Sequence, residues 1–294
     1  MDDVDELAQQ FEGQRAHLRA VAFRMLGSLT EADDAVQETW LRLARSDTSA
    51  VQNLAGWLTT VLSRVCLDML RSAAARSEEP GGLQPPAPGG VSHHDSDPEY
   101  RALRAESVGS ALLVVLDKLA PAERVAFVLH DLFAVPFEEI GPIVDRSPAT
   151  AKKLASRARA RVKGTPAVPR AELTRHRRVV EAFLAAMRGG DIKTLLGLLD
   201  PDVVRRADRA VVPEGGAAEL HGTAAVVDDV RSYARRARFA EPALVDGTVG
   251  LVVVAPRGQL LLAIRLAVKH EKITEIEVIG EPHQLRRLDL ATLD

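Results

Sequence analysis

Apolar residues recur at the spacing of an α-helix through the first 76 positions of the chain, and they predict three helices. The first helix ends at Gly27-Ser28, Thr30 is the expected N-cap of the second, and the third runs from about Leu54 to Arg71. The inward positions are Phe11, Leu18, Ala22, Met25, Val36, Trp40, Leu43, Leu54, Trp57, Leu58, Val61, Leu62 and Val65. This segment is therefore expected to fold as an all-α bundle.

A second helical segment ends in the layout of a helix-turn-helix. Phe137, Ile140 and Val144 recur at helical spacing, and Pro142 predicts a kink or an early end because proline forfeits a backbone hydrogen bond. Ser147 is a good N-cap for the next helix, and Pro148 suits its first position. The pattern predicts a short apolar helix, a tight turn and a second helix.

The last segment begins with two helical stretches, at 176–187 and 191–199, and then changes in kind. Residues rich in Val, Ile and Leu predict strands, with turns at Gly258 and at Lys269–Glu271. The later elements are expected at 203–204 (strand), 221–237 (helix), and 250–255, 260–268 and 272–279 (strands). We expect an α+β domain in which a curved antiparallel sheet wraps around the helices.

Two segments with the composition of linkers divide the chain. Residues 77–98 contain five Pro and four Gly with hardly a large apolar side chain, which is the composition of a flexible linker. A shorter joint follows at 164–169. The predicted organisation is an all-α domain at 1–76, a linker at 77–98, an all-α helix-turn-helix domain at 99–163, a linker at 164–171 and an α+β domain at 172–294.

Composition places the chain among ordinary globular proteins, with 46% hydrophobic and 27% charged residues. The single cysteine, Cys66, excludes an internal disulfide and a cysteine-based zinc site. The first residues are acidic, and no apolar run approaches the length of a membrane span. We therefore expect a cytoplasmic protein with no membrane partner, no metal and no cofactor.

Charge is distributed very unevenly in this chain, whose net charge is only −3. Residues 144–163 carry seven basic side chains and one acidic one, whereas residues 1–75 carry eleven acids and seven bases. A basic helix is often only a solvated surface, but its position after a capped turn favours contact with DNA. In the third helix Thr60, Arg64, Asp68 and Arg71 form a line of hydrogen-bonding groups suited to a nucleic-acid strand.

Several blocks of sequence resemble bacterial extracytoplasmic-function sigma factors. The stretches 33–43, 54–58 and 64–71 resemble region 2 of that family, and 119–129 followed by the helix-turn-helix resembles region 4. The resemblance implies a transcription initiation factor that binds core RNA polymerase, through the β′ clamp and the β flap, and directs it to promoter DNA. It implies no catalytic activity.

The resemblance also implies roles for individual residues. The candidate polymerase contacts are Asp33, Asp34, Gln37, Glu38 and Trp40. The candidates for reading the −10 element as a single strand are Gln52, Asn53, Thr60, Arg64, Asp68 and Arg71. The candidates for the −35 duplex are Arg146, Ser147, Thr150, Lys152, Lys153 and Arg157, with Arg159, Arg161 and Lys163 as partners of backbone charge.

The last segment resembles a SnoaL-like domain of the nuclear-transport-factor type, which a subgroup of these sigma factors carries after region 4. The stretches that carry the resemblance are 179–183, 190–191, 200–203, 221–222 and 273–276. In that subgroup the domain modulates activity by an intramolecular contact with the sigma core, and we expect the same contact here.

Two other functions remain open from sequence. Some SnoaL-like proteins are enzymes with an acid/base pair in a pocket, and Asp208, His221, Arg206 and Arg265 are available for one. A histidine at a helix start is more often an end cap or a surface group. The second alternative is an ordinary duplex-binding regulator with a ligand-sensing C-terminal domain. A pull-down with core polymerase would distinguish it from a sigma factor.

Overall fold

A computed structural model describes residues 2–46, 51–78, 110–213, 215–233, 237–255 and 259–293. The described residues fall into two compact units. The first comprises those of Met1–Ser107 and Leu116–Ala160, and the second those of Val108–Val115 and Arg161–Asp294. The expected order of two all-α regions followed by an α+β region is confirmed.

The first unit begins with three helices: α1 (Asp2–Leu26), α2 (Leu29–Arg45) and α3 (Leu54–Glu78). Most of the predicted inward positions are buried, while Trp40, Leu54, Trp57 and Val61 are half-buried. The N-cap of α2 is Ser28, so the prediction of Thr30 was wrong. Ser28 has the extended backbone of a cap, and helix α2 has already begun at Leu29.

The helices that follow are short up to the helix-turn-helix. They are α4 (Ser110–Asp117), α5 (Pro121–Phe127), a π-helical turn (Val128–Leu132), α6 (Phe137–Ile143) and α7 (Pro148–Lys163). Helix α6 ends one residue after Pro142, as predicted from the hydrogen bond that proline cannot make. Helix α7 begins with Pro148, also as predicted.

The second unit contains α8 (Arg170–Gly189), α9 (Ile192–Leu198), α10 (Thr223–Ser232) and α11 (Pro282–Arg287). Its strands are β1 (Leu199–Ala207), β2 (Glu219–His221), β3 (Ala240–Val245), β4 (Thr248–Val254), β5 (Leu260–Lys269), β6 (Lys272–Ile279) and β7 (Leu290–Ala291). Gly190, with a φ of 67°, ends α8 in the left-handed conformation that favours glycine.

The seven strands form one sheet in the order β2-β1-β6-β5-β4-β3-β7. Strands β1 and β6 are parallel, so the expectation of a purely antiparallel sheet was wrong; the other neighbouring pairs are antiparallel. The predicted hairpin turn at Lys269–Glu271 is confirmed, with His270 and Glu271 at positive φ. Phe183 of α8, Val226 of α10 and Leu251 of β4 belong to a shared apolar core.

Not every predicted boundary falls on described residues. Helix α3 continues to Glu78, two residues past the boundary predicted at 76. Residues 79–98 of the predicted linker and the turn at Gly258 lie outside the described ranges. The assignment of domain boundaries therefore stays a prediction.

Candidate polymerase and nucleic-acid interfaces

The candidate polymerase contacts lie on α2, whose start is fixed by its serine cap. The Ser28 hydroxyl accepts a hydrogen bond from the Glu31 N–H at 3.4 Å. The buried side of the helix consists of Ala32, Ala35, Val36, Thr39 and Leu43. Asp33, Asp34 and Gln37 are exposed. The amphipathic pattern thus places polar and acidic groups on the solvent side of α2.

Three of the candidates on α2 also have structural contacts. Asp33 accepts hydrogen bonds from the Arg19 guanidinium of α1 at 2.6 and 3.1 Å. The half-buried ring of Trp40 packs against Phe11 with a centroid distance of 5.1 Å. Glu38 is half-buried as well, and its carboxylate accepts a hydrogen bond from Arg42 at 2.9 Å. Asp34 and Gln37 are therefore the candidates that a partner would reach without disturbing these contacts.

The first −10 candidates surround the start of α3. The Asn53 side-chain oxygen accepts a hydrogen bond from the Gly56 N–H at 3.0 Å, so Asn53 acts as a cap. Thr60 is half-buried, and its hydroxyl donates to the Gly56 carbonyl at 2.9 Å. Gln52 is exposed. Asn53 and Thr60 thus have structural hydrogen bonds that the sequence prediction did not include.

The other −10 candidates form the predicted line on the surface of α3. Arg64, Asp68 and Arg71 are all exposed. An Arg71 nitrogen lies 3.9 Å from an Asp68 carboxylate oxygen, which is a loose ion pair one helical turn apart. Donors and acceptors of hydrogen bonds therefore alternate along this line.

The turn between α6 and α7 is tight enough to require particular residues. A Cβ atom on Gly141 would lie 2.8 Å from the Arg146 carbonyl oxygen, so the chain passes too close for any larger residue. Asp145 has a φ of 56°, a left-handed conformation that Asp tolerates better than most residues. The Arg146 N–H donates to the Gly141 carbonyl at 2.9 Å and closes the turn.

Helix α7 has the cap and the exposed basic side expected of a recognition helix. The Thr150 N–H donates to the Ser147 hydroxyl at 3.3 Å, which confirms Ser147 as the N-cap. The inward side consists of small residues, Ala151, Ala155 and Ala158, all fully buried. The exposed −35 candidates are Arg146, Ser147, Lys152, Lys153 and Arg157, and Thr150 is half-buried.

Arg159 differs from the other bases of α7. Its Nε donates to the Asp131 carboxylate at 2.6 Å, and this hydrogen bond raises the pKa of Arg159. The charge of Arg159 is thus already paired within the protein, and Lys163 is exposed. Because of the contact with Asp131, Arg159 is less available to pair with a DNA phosphate.

The four residues considered for catalysis do not form one site. Asp208 accepts hydrogen bonds from the N–H groups of Gly280 and Glu281, both at 2.7 Å, and so fixes a turn. His221 is largely exposed beside Glu219. The remaining pairs are Arg206 with Glu219 and Glu275, and Arg265 with Asp246 and Glu277.

A different pair of charged residues lines the interior of the sheet domain. The Arg205 side chain is 2% exposed, and its Nε lies 3.0 Å from the Asp229 carboxylate. Burial raises the pKa of Asp229, while the charge of Arg205 acts in the opposite direction. The adjoining apolar cavity measures about 50 Å³, enough for one or two water molecules. Sequence reasoning missed this pair.

The parts of α4 and α7 that belong to the second unit hydrogen-bond to β3 and to the residue directly after β7. The Glu241 carboxylate of β3 accepts a hydrogen bond from the Ala111 N–H at 3.0 Å. Thr292 donates to the Val162 carbonyl from its N–H at 2.8 Å and from its hydroxyl at 3.0 Å. These bonds satisfy a donor at one helix start and an acceptor at one helix end.

The described ranges contain neither a membrane-spanning helix nor a metal-binding cluster of side chains. None of the helices there combines the length and apolarity needed to cross a membrane. Across the same residues, no three His, Cys, Asp or Glu side chains are grouped so as to hold a metal ion.

Comparison with known families matched two segments of the chain. Residues 11–76 match Sigma-70 region 2, and residues 110–162 match Sigma-70 region 4. Helices α2 and α3 lie in the first match, and the helix-turn-helix lies in the second.

Comparison with individual proteins gave matches over nearly the whole chain. SigI of Mycobacterium tuberculosis, described as a probable ECF RNA polymerase sigma factor, is 34% identical over 286 residues, covering 97% of each chain. The ECF RNA polymerase sigma factor SigJ of the same organism is 44% identical over 200 residues, covering 68% of this chain and 64% of SigJ. The crystal structure of SigJ aligns at 32% identity over 94% of this chain and 97% of that one, with a TM-score of 0.47.

Proposed function

The chain belongs to the extracytoplasmic-function RNA polymerase sigma factors, and we propose which of its surfaces contact polymerase and which contact DNA. As a member of this family it binds core RNA polymerase and directs promoter-specific transcription initiation. Its C-terminal domain is SnoaL-like. Its place of action is that of the polymerase, in the cytoplasm.

The exposed side of α2 is the proposed polymerase contact. Asp34 and Gln37 would meet the β′ clamp directly, with Asp33, Glu38 and Trp40 beside them. An acidic helix repels a DNA backbone and suits a basic protein surface. Region 4 would contact the β flap.

The exposed sides of α3 and α7 are the proposed DNA contacts. Gln52, Asn53, Thr60, Arg64, Asp68 and Arg71 would read the separated −10 strand. Helix α7 would enter the major groove at the −35 element, with Lys152, Lys153 and Arg157 reaching phosphates or base edges. Arg146, Ser147 and Thr150 lie at its N-terminal end, which favours phosphate.

The SnoaL-like domain is the proposed modulator of the sigma regions. Glu241 of β3 accepts a hydrogen bond from Ala111, and Thr292, directly after β7, donates one to Val162; Ala111 and Val162 lie close to the two ends of the segment that matches region 4. We propose no catalysis, because the four residues considered for it do not form one site.

The observation that carries the proposal is the opposite charge on the exposed sides of α2 and α7. A pull-down of the purified chain with core polymerase tests it against the alternative of an ordinary duplex-binding regulator. A sigma factor is retained by core polymerase without DNA. Retention by promoter DNA alone, with none by polymerase, would favour the ordinary regulator.

Removing residues 172–294 tests the proposed modulation separately. We expect promoter output to change, upward if the domain mainly inhibits and downward if it supports the sigma fold. Identical output with and without these residues would remove the modulatory proposal and leave the sigma function intact.

A further inference from the structure

Positive charge is unevenly distributed within the second unit. Residues 161–178 carry six Arg or Lys side chains and one acid, whereas residues 179–294 carry fifteen basic and seventeen acidic side chains. The basic part comprises the last three residues of α7, the segment 164–169 and the first nine residues of α8. Such a concentration indicates either a solvated surface or a surface for an anionic partner.

The arginines of α8 differ in whether they are already paired. The Arg177 guanidinium donates a hydrogen bond to the Glu181 carboxylate at 2.8 Å, and the Glu172 carboxylate lies 3.5 Å from Nε2 of His176. Glu172 and Glu181 are the two acidic residues of α8, so both are engaged within the helix. Three exposed arginines of α8 have no hydrogen-bond or ion-pair partner among the described residues: Arg170, Arg175 and Arg178.

The positions of these three arginines are unfavourable for the helix itself. Arg170 is the first residue of α8, where the positive end of the helix dipole disfavours a cation. Arg175 and Arg178 are one turn apart and so are neighbours on the helix surface, where like charges repel. An anionic partner would offset both effects.

The segment 164–169, which joins α7 to α8, is held on the sheet. The Ala167 N–H donates a hydrogen bond to the Gly247 carbonyl at 2.8 Å. Gly164 packs so closely on Ala291 of β7 that a Cβ atom in its place would clash. Together with the two hydrogen bonds that the Val162 carbonyl accepts, these contacts fix the end of α7 and the start of α8 to one sheet. The backbone positions of the basic residues at these two helix ends are therefore fixed relative to each other.

A phosphate backbone fits this surface better than a protein does. Protein interfaces depend on aromatic and apolar side chains at their centre. Residues 163–178, all of which the structure describes, expose no Phe, Tyr or Trp and no large apolar side chain. DNA carries one negative charge per about 1.7 Å of helix axis, and basic side chains alone are sufficient to bind it.

We propose that Lys163, Arg170, Arg175 and Arg178 form a basic track that contacts the phosphates of promoter DNA flanking the −35 element. The inference rests on the proposed placement of α7 in the −35 major groove. Lys163 is the last residue of that helix, and Arg170 follows seven residues later, a chain distance of at most about 25 Å. A duplex bound by α7 extends beyond the element, and the basic track contacts it there. The SnoaL-like domain thus adds sequence-independent affinity for DNA to that of region 4.

Two duplexes of different length test the inference with the full chain. One is confined to the −35 element of a promoter that the chain recognises, and the other continues by about ten base pairs, one helical turn, on each side. The α8 variant carries Arg170→Gln, Arg175→Gln and Arg178→Gln. The control variant replaces three exposed arginines elsewhere in the second unit and has the same net charge: Arg209→Gln, Arg286→Gln and Arg287→Gln.

We expect the unmodified chain and the control variant to bind the long duplex about tenfold more tightly than the short one at low salt, because contacts to phosphate are added. The α8 variant should lose this gain and bind the short duplex as the unmodified chain does. On the long duplex, its slope of log affinity against log salt should be smaller by about 2 to 3, close to one for each lost phosphate contact.

An equal gain from the longer duplex in the unmodified chain and in the α8 variant would overturn the inference, and so would an equal loss of the gain in the control variant. Weaker core-polymerase binding by the α8 variant, with unchanged DNA affinity, would assign the basic track to a protein partner and overturn it as well. Failure of the unmodified chain to bind the short duplex would instead count against the proposed placement of α7, so the two failures are distinguishable.

Hydroxyl-radical footprinting on the long duplex provides a second measurement. The unmodified chain should protect the DNA backbone beyond the −35 element, whereas the α8 variant should protect the element alone. Protection of the element by the variant also shows that its helix-turn-helix is folded. Identical footprints from the two proteins would contradict the inference.

Discussion

Helices α2 and α7 are built alike but carry opposite charge. Each begins at a serine cap and buries one apolar stripe. Helix α2 has four acidic and two basic residues, whereas α7 has six basic residues and none that is acidic. Because the two helices share this construction, we propose that their exposed charge decides which one binds a protein and which one binds DNA.

The positions of the charges support a functional origin. The two basic residues of α2, Arg42 and Arg45, lie in its last turn, where the helix dipole favours cations. In α7, Lys152 and Lys153 lie in the second turn, beyond the reach of most of the dipole effect, and they have no acidic residue within the helix to pair with. We propose that contact with an anionic partner accounts for these two lysines.

The largest expected effect comes from α7. Lys153→Ala and Arg157→Ala should each weaken binding to a −35 duplex by about 1–3 kcal/mol and flatten its salt dependence, because each removes a contact to phosphate or base. A salt-controlled binding assay measures this, with core-polymerase affinity expected to stay nearly constant. Arg178→Ala, an exposed arginine of α8, is the control. Unchanged promoter retention would refute the assignment.

The reciprocal change on α2 should act on polymerase. Asp34→Ala combined with Gln37→Ala should weaken core-polymerase binding by about 1 kcal/mol or more and leave −35 duplex binding unchanged, since both side chains are exposed at the proposed docking surface. Surface-immobilised core polymerase gives the affinity. Asp202→Ala removes an exposed acid elsewhere and should have no effect. If the double variant and Asp202→Ala lost the same amount of core-polymerase affinity, α2 would not be the docking surface.

Substituting the serine caps of α2 and α7 allows the effect on helix stability to be measured separately from the effect on DNA binding. Ser28→Ala should lower the free energy of unfolding by about 0.5–2 kcal/mol, because the Glu31 N–H loses its acceptor. Ser147→Ala should cost a similar amount and should also weaken −35 binding. Denaturant unfolding gives the stabilities, with the exposed Ser72→Ala as control. A loss of DNA affinity in Ser28→Ala at constant stability would contradict the assignment of DNA binding to α7 and not to α2.

The smallest expected effect concerns the end of α7. Thr292→Val removes the hydroxyl bond to the Val162 carbonyl, worth about 0.5–1.5 kcal/mol, and should alter promoter output without changing polymerase affinity. Thr274→Val, which loses a similar bond to Ala267 in the same domain, is the control. Identical promoter output from the two variants would argue against modulation through Val162.

Much of the helical region could be predicted from sequence because its signals are local. Helical spacing of apolar residues identified α1, α2 and α3, and the serine, proline and basic run identified the start of α7. The cap of α2 was misassigned because Ser28 and Thr30 are both good caps and lie two residues apart.

The sheet domain was less predictable because its pairing is non-local. The parallel pairing of β1 with β6 joins segments about 70 residues apart, and nothing local specifies it. Arg205 and Arg206 are adjacent and chemically identical, so only the register of β1 decides which side chain enters the interior. The interior pair of Arg205 with Asp229 was missed for that reason.

Run-off transcription with sigma-free core polymerase on a promoter library tests the central claim most directly. The purified chain should confer start-site selection, the α2 variants should lose it through weaker polymerase binding, and the α7 variants through weaker −35 binding. Absence of start-site selection by the unmodified chain, with α2 and α7 intact, would contradict the account.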